Sequence, residues 1–232
     1  MTLAELAFAS YCYQRLNDYD ESYAAFLTTT GTSPDLSLPS HRRSLLVWLN
    51  QWGCRQFAIE YHGKASAALR RWHRKFGHSF IPEDKSIWQL TEEDLIIVGK
   101  GYTALVDQVA SLRRHGRRSV RVTFGPTGVA KIFFAFRRNA LVPWDDPIRQ
   151  HYDYDGSADS YLSYLRRVKS QADDIKSACE QHGIAISDLP AQLGRPLSSV
   201  AKLIDEANWL TITKKLICPT PEILRLWARW AE

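Results

Sequence analysis

Apolar positions recur at helical spacing along almost the whole chain. Leu3–Leu16 carries them at 3, 6, 7, 11 and 13, one face of a helix. Residues 41–52 (HRRSLLVWLNQW) predict a second helix, with Ser40 as cap and Gly53 as stop, and residues 65–76 a third, ended by Gly77. Thr91-Glu-Glu-Asp94 has the form of a capping box. Residues 102–114 predict a helix closed by Gly116. Ser119–Phe124 alternates and reads either as a short strand or as the extended entry to the next helix, which has Pro126 in its first turn and runs to about Phe136. Further helices are predicted over 145–152, 157–182 (ended by Gly183), 187–193, 197–207 and 221–231, the last with Thr220 as cap and Pro221 at its first position. No heptad persists and no segment repeats. The expected class is all-α.

Two polar stretches punctuate this pattern: residues 28–40 (TTTGTSPDLSLPS) and the acidic turn 151–157 (HYDYDGS). They divide the chain into an N-terminal helix with its linker (1–39), a central helical block (40–150) and a C-terminal block (151–232). If the first helix packs on the last block, two lobes result with a cleft between them. The length of 232 residues allows a sizeable core, and 45% apolar with 24% charged residues is an ordinary globular composition. No apolar run approaches the ~18–20 residues of a membrane span, so no membrane partner is expected. The start MTLAELAFAS lacks a basic region ahead of its apolar stretch. Cys12, Cys54, Cys179 and Cys218 are far apart, with no zinc-finger spacing. A reduced cytoplasmic protein, monomeric and without metal or cofactor, is expected.

Charge adds one feature. The net charge is only +5, but the cations are grouped. Lys64, Arg70, Arg71, Arg74 and Lys75 form one cluster; Arg113, Arg114, Arg117, Arg118 and Arg121 a second; Arg137 and Arg138 a third. Each alone reads as a solvated helix end. Three together point to a polyanion surface.

The segment with the most chemistry is Phe124-Gly-Pro-Thr-Gly-Val-Ala-Lys-Ile-Phe-Phe-Ala-Phe136, continued by Arg-Arg-Asn-Ala-Leu-Val-Pro-Trp-Asp-Asp-Pro-Ile-Arg149. A glycine-led turn opens an apolar helix whose free N–H groups suit a phosphate, and a tight return brings Trp144 and Asp145 to a new helix start. This pattern resembles the helix-hairpin-helix DNA glycosylase superfamily, in which an essential aspartate follows the second hairpin glycine by about twenty residues, as Asp145 follows Gly125. Asp145-Asp-Pro-Ile148 is similar to the family's Asp-x-x-(Val/Ile). The resemblance spans Leu45 to His151 and is firm over 124–149. The hairpin reads Val122-Thr-Phe-Gly125 where the family has Leu-Pro-Gly-x-Gly, and Thr127 stands where members with strand-cleaving activity carry a lysine.

The resemblance implies an all-α, two-lobed glycosylase that flips a base out of double-stranded DNA and hydrolyses its N-glycosidic bond, without lyase chemistry, in base-excision repair or in defence against phage with modified bases. Asp145 is the implied catalytic residue. Trp144 and the helix carrying Asn50, Gln51 and Trp52 would form the base pocket. Gly125, Thr127, Lys131, Arg113, Arg114, Arg117 and Arg118 would hold DNA. Plainer readings stand beside these: Asp145 as a helix cap, Trp48 and Trp52 as core at i, i+4, Lys131 as a surface lysine. The alternative function is a DNA-binding protein without activity. Ile186–Thr213 has the outline of a helix-turn-helix, although its second helix offers only Ser198, Ser199 and Lys202 before Asp205 and Glu206.

Overall fold

The computed structural model describes residues 1–16, 19–115 and 118–230. The fold is mostly helical with one two-stranded sheet. α1 (Leu3–Leu16) and α2 (Tyr19–Thr30) precede the central helices α3 (Pro39–Gln51), α4 (His62–Phe76) and α5 (Glu92–Val106), and α2 packs on α3. The linker expected from residue 28 therefore begins later, after Thr30, and a second N-terminal helix precedes it. Ser40 lies inside α3, whose first turn is set by Pro39 instead of a side-chain cap.

The largest departure from the sequence pattern lies beyond α5. The helix predicted over 102–114 is the end of α5 followed by a β-hairpin, β1 (Val109–His115) and β2 (Arg118–Thr123). Their antiparallel register runs from Val109 opposite Thr123 to His115 opposite Arg118, with an irregularity between Val109 and Ser111. Val109, Val120, Val122 and Thr123 favour the pleated conformation. Tertiary bonds then fix it: the Ser111 hydroxyl donates to the Gln56 carbonyl (2.7 Å), and the Phe124 amide to the Gln108 carbonyl across the hairpin's open end (3.0 Å).

α6 (Gly125–Phe136) is the centre of the core. Everything from Gly128 to Phe136 except Lys131 is buried, so its apolar surface is continuous rather than one-sided. Gly125 begins it at φ +66°, a backbone conformation that L side chains rarely adopt. One side of α6 packs Phe133 and Phe136 against Trp72 and Phe80. The other packs Phe134 against Trp52 (5.9 Å between ring centroids, stacked) and Tyr23. α7 (Asp146–His151) follows the return loop, and α8 (Ala158–Gln181), capped by Ser157, runs past α5.

The C-terminal elements are α9 (Leu189–Gln192), α10 (Val200–Asn208), a π-helical turn over 209–213 and α11 (Pro221–Trp230). α1 packs on α10. Every residue of α10 is buried, which removes it as a recognition helix. Its cap is Ser199, which accepts from the Lys202 amide at 3.1 Å, so it begins three residues later than the sequence suggests. Among the described residues no helix is long and apolar enough to cross a membrane.

Candidate functional site

A pocket of about 210 Å³ opens where α1, α3, α6 and α10 meet the start of α7. Tyr13, Tyr19, Trp52, Trp144 and Trp209 supply its aromatic surface, and Lys131, Asp145 and Asp205 its charged groups. A cavity of about 150 Å³ holds a benzene ring, so this one has room for a flat heterocycle.

Local structure places the first group of residues. Trp52 is the residue after α3, and its indole donates to the Tyr19 carbonyl (3.3 Å). The Trp144 indole donates to the Pro126 carbonyl (3.2 Å), which fastens the return loop to the first turn of α6. Both rings are core as well as pocket wall, Trp144 being only 1% exposed. Asp145 is the N-cap of α7: Oδ1 accepts from the Ile148 amide at 3.0 Å. Thr213 donates to Oδ2 at 2.9 Å. The carboxylate is thus a cap and a pocket group together, held in one rotamer by two elements. Asp146 turns outward to pair with Arg149. Lys131 reaches in from α6, donates to the Trp52 carbonyl and lies 5.7 Å from that ring's centroid.

Other expected residues are elsewhere. Asn50 hydrogen-bonds His62 (3.2 Å), and Gln51 is exposed beside α2; neither lines the pocket, because α3 presents them on other faces than Trp52. Gly125 and Thr127 are in the first turn of α6, outside the pocket lining. Arg113 and Arg118 are exposed on the hairpin, and Arg114 is on β1; Arg117 lies outside the described residues. The cluster on α4 is exposed at Lys64, Arg70, Arg71, Arg74 and Lys75, and α4 packs on β1, so two basic clusters occupy neighbouring elements. The third does not join them. Arg137 is buried on the Ile81 and Phe136 carbonyls, with its guanidinium 3.9 Å from the Phe136 ring centroid, and Arg138 donates to the Leu197 carbonyl. These two arginines close backbone ends in the core.

The sequence pattern did not single out Tyr13, Tyr19, Trp209 and Thr213 for the site, and it noted Asp205 only as an acid that makes a poor DNA-reading helix. Asp205 is 7% exposed. Behind it, still on α10, Glu206 accepts from both guanidinium nitrogens of Arg195 (2.8 Å each) and from Lys202 Nζ (2.7 Å). Lys202 also donates to the Tyr13 hydroxyl (3.1 Å), and Arg195 pairs with Asp20 (2.7 Å). Burial alone would lower the Lys202 pKa, but the Glu206 and Tyr13 oxygens outweigh it and hold the ammonium charged. No described group hydrogen-bonds the Asp205 carboxylate. Burial first, then the Glu206 and Asp145 carboxylates, push its pKa up to about 7, against the pull of Lys202 and Lys131.

That shift has a consequence for stability. An unfolded aspartate titrates near 3.9, so from about pH 4 to 7 the folded protein holds a proton that the unfolded chain has released. The stabilisation is complete below that window and lost as pH rises through about 7. Asp205→Asn does not titrate. Its melting temperature should exceed wild type most at pH 8, and the gap should narrow steadily towards pH 5. Parallel melting profiles of the two proteins would show that Asp205 titrates normally.

No protein-family model, no curated protein and no solved structure matches the chain.

Proposed function

We propose that this protein is a DNA glycosylase without lyase activity, which hydrolyses the N-glycosidic bond of a damaged or modified base flipped out of double-stranded DNA. The observation that carries the reading is the aromatic pocket with Asp145 fixed at its edge by the Ile148 amide and Thr213. Base release passes through an oxocarbenium-like sugar. A rigid carboxylate beside the developing cation stabilises that transition state without reorganising. Trp52, Trp144 and Trp209 offer faces and edges against which an extruded ring can pack. Lys131, already bonded to a carbonyl, is a positioning cation in this scheme and not a Schiff-base nucleophile. The exposed cations of α4 and the hairpin supply the phosphate surface.

The test is incubation with undamaged, damaged and phage-modified duplex DNA followed by hot alkali. Strand breaks at single positions in one substrate class are expected. Binding without any alkali-labile site would leave the alternative, a DNA-binding protein that has the pocket but no activity. Binding itself should depend on salt: six phosphate contacts give a log–log slope of about −5. Replacing Arg113, Arg114, Arg117 and Arg118 together with alanine should weaken binding on all sequences alike and flatten that slope. Salt-independent affinity would remove the phosphate surface from the reading.

A further inference from the structure

We infer that Asp205 is the group that selects the ring bound in the pocket, and that this ring is a planar heterocycle presenting an exocyclic amino group, with guanine and cytosine derivatives favoured over their amino-free counterparts. The inference rests on the proposed function only in taking the ligand to be a nucleobase.

Three observations lead to it. The first is an unpartnered acceptor. Asp205 is more than nine-tenths buried, lines the pocket and receives no hydrogen bond from any described residue. Its oxygens are not sealed in the core as the orphaned groups of Tyr23, Trp48, Arg138 and Tyr164 are, so they open to the pocket, whereas its neighbour Glu206 is saturated by Arg195 and Lys202. Lys202 directs its own bonds to Glu206 and Tyr13, away from Asp205. The missing donors therefore have to come from the pocket side.

The second is the balance of acceptors and donors there. Two carboxylates, Asp145 and Asp205, face one ammonium, and that ammonium is bonded to the Trp52 carbonyl. The indole N–H groups of Trp52 and Trp144 point to backbone carbonyls of Tyr19 and Pro126. Asp145 is already engaged by Ile148 and Thr213. Asp205 is left as the open acceptor, and a carboxylate accepts without donating.

The third is shape. The aromatic walls demand a flat ligand, so the donors must lie in a ring plane. An amino group beside a ring N–H, as on guanine, offers two parallel donors to one carboxylate. The amino group of cytosine offers one, the known pairing of aspartate with that base. Hypoxanthine and uracil replace or lack the amino group and set carbonyl oxygens or bare C–H against Asp205.

The experiment is tryptophan-fluorescence titration of the whole protein at pH 8, where Asp205 is ionised, with two matched pairs of nucleosides: guanosine against inosine, and cytidine against uridine. The amino-bearing member of each pair should bind about tenfold or more tighter. Asp205→Leu should erase both preferences. Asp205→Asn, which presents a donor as well as an acceptor, should erase the preference for guanosine, with thermal melts confirming that both variants are folded. Equal binding within both pairs, absence of binding by all four, or preferences that survive both substitutions would overturn the assignment. Because no bond is cut in this assay, its failure is distinct from failure of the glycosylase reading. Alkali-labile sites formed with no amino preference would refute the role of Asp205 alone, and amino-selective binding without such sites would refute the glycosylase alone.

Discussion

Asp145→Asn should lower single-turnover base release by about a hundredfold or more while leaving DNA binding and the melting temperature close to wild type. The separation follows from the two roles this side chain has. As the N-cap of α7 it needs only an oxygen that accepts from the Ile148 amide, and asparagine caps about as well as aspartate. Thr213 also donates to that same Oδ1 at 3.2 Å, a bond the amide oxygen keeps, and the amide nitrogen that replaces Oδ2 can donate to the Thr213 hydroxyl instead. What asparagine removes is the negative charge, whose effect is felt only when the sugar becomes cationic. Lys131→Ala should be milder, because its ammonium is engaged with the Trp52 carbonyl, and borohydride should trap no adduct. Wild-type release by Asp145→Asn would reduce Asp145 to a cap and withdraw the residue on which the proposed chemistry depends. A trapped adduct that disappears in Lys131→Ala would show a lyase instead.

Glu206→Gln should be among the most destabilising single substitutions in the chain. Glu206 is 0% exposed and is the common acceptor for Arg195 and Lys202, both themselves buried. Removing one partner of a buried ionic group strands the others and costs about 3–5 kcal/mol. For a protein of this size that is a fall of roughly 6–20 °C in melting temperature. Asp20 and Tyr13 retain part of the network, which places the expectation in the lower half of that range. Thermal and urea unfolding measure it directly. A shift under 2 °C would mean that water or a rearranged Asp205 takes over the role of Glu206.

Local signals made much of this fold legible in the sequence. Thr91, with Asp94 three residues on, forms the capping box that its residue types require; Ser157 caps α8, and Gly183 ends it at φ +67°. Of the hairpin, β2 was one of the two readings of 119–124, but β1 was not legible, because Leu105, Val106, Val109, Ala110 and Leu112 fit a helical stripe equally well, and only contacts with Gln56 and α4 decide between the two. The site divides the same way. Trp144 and Asp145 follow α6 after a return loop, and Lys131 lies within, and Trp52 just past the end of, a helix the sequence predicts. Asn50 and Gln51 fell on the wrong faces of α3 because a sequence gives a helix but not its rotation. Asp205 was hidden by a global cause: α10 reads as amphipathic, yet every face of it is covered. One signal was available. Lys202 and Glu206 are spaced i, i+4 in a run whose other residues are apolar except Asp205 and Asn208, as a buried ion pair would be.

The pocket draws one wall from α1 and another from α10, joined by the bond between Tyr13 and Lys202, 189 positions apart. On the ribosome, at about 5–20 residues per second, α1 emerges roughly 10–40 s before its partner. A lone 14-residue helix is marginal in water, so Leu6, Ala9 and Tyr13 have no settled burial during that interval. The central helices can pack first, around α6. The nascent chain would then carry a half-built cleft, with Trp52 and Lys131 in position and nothing opposite them. The pocket gains its last wall only when α10 emerges and packs on α1.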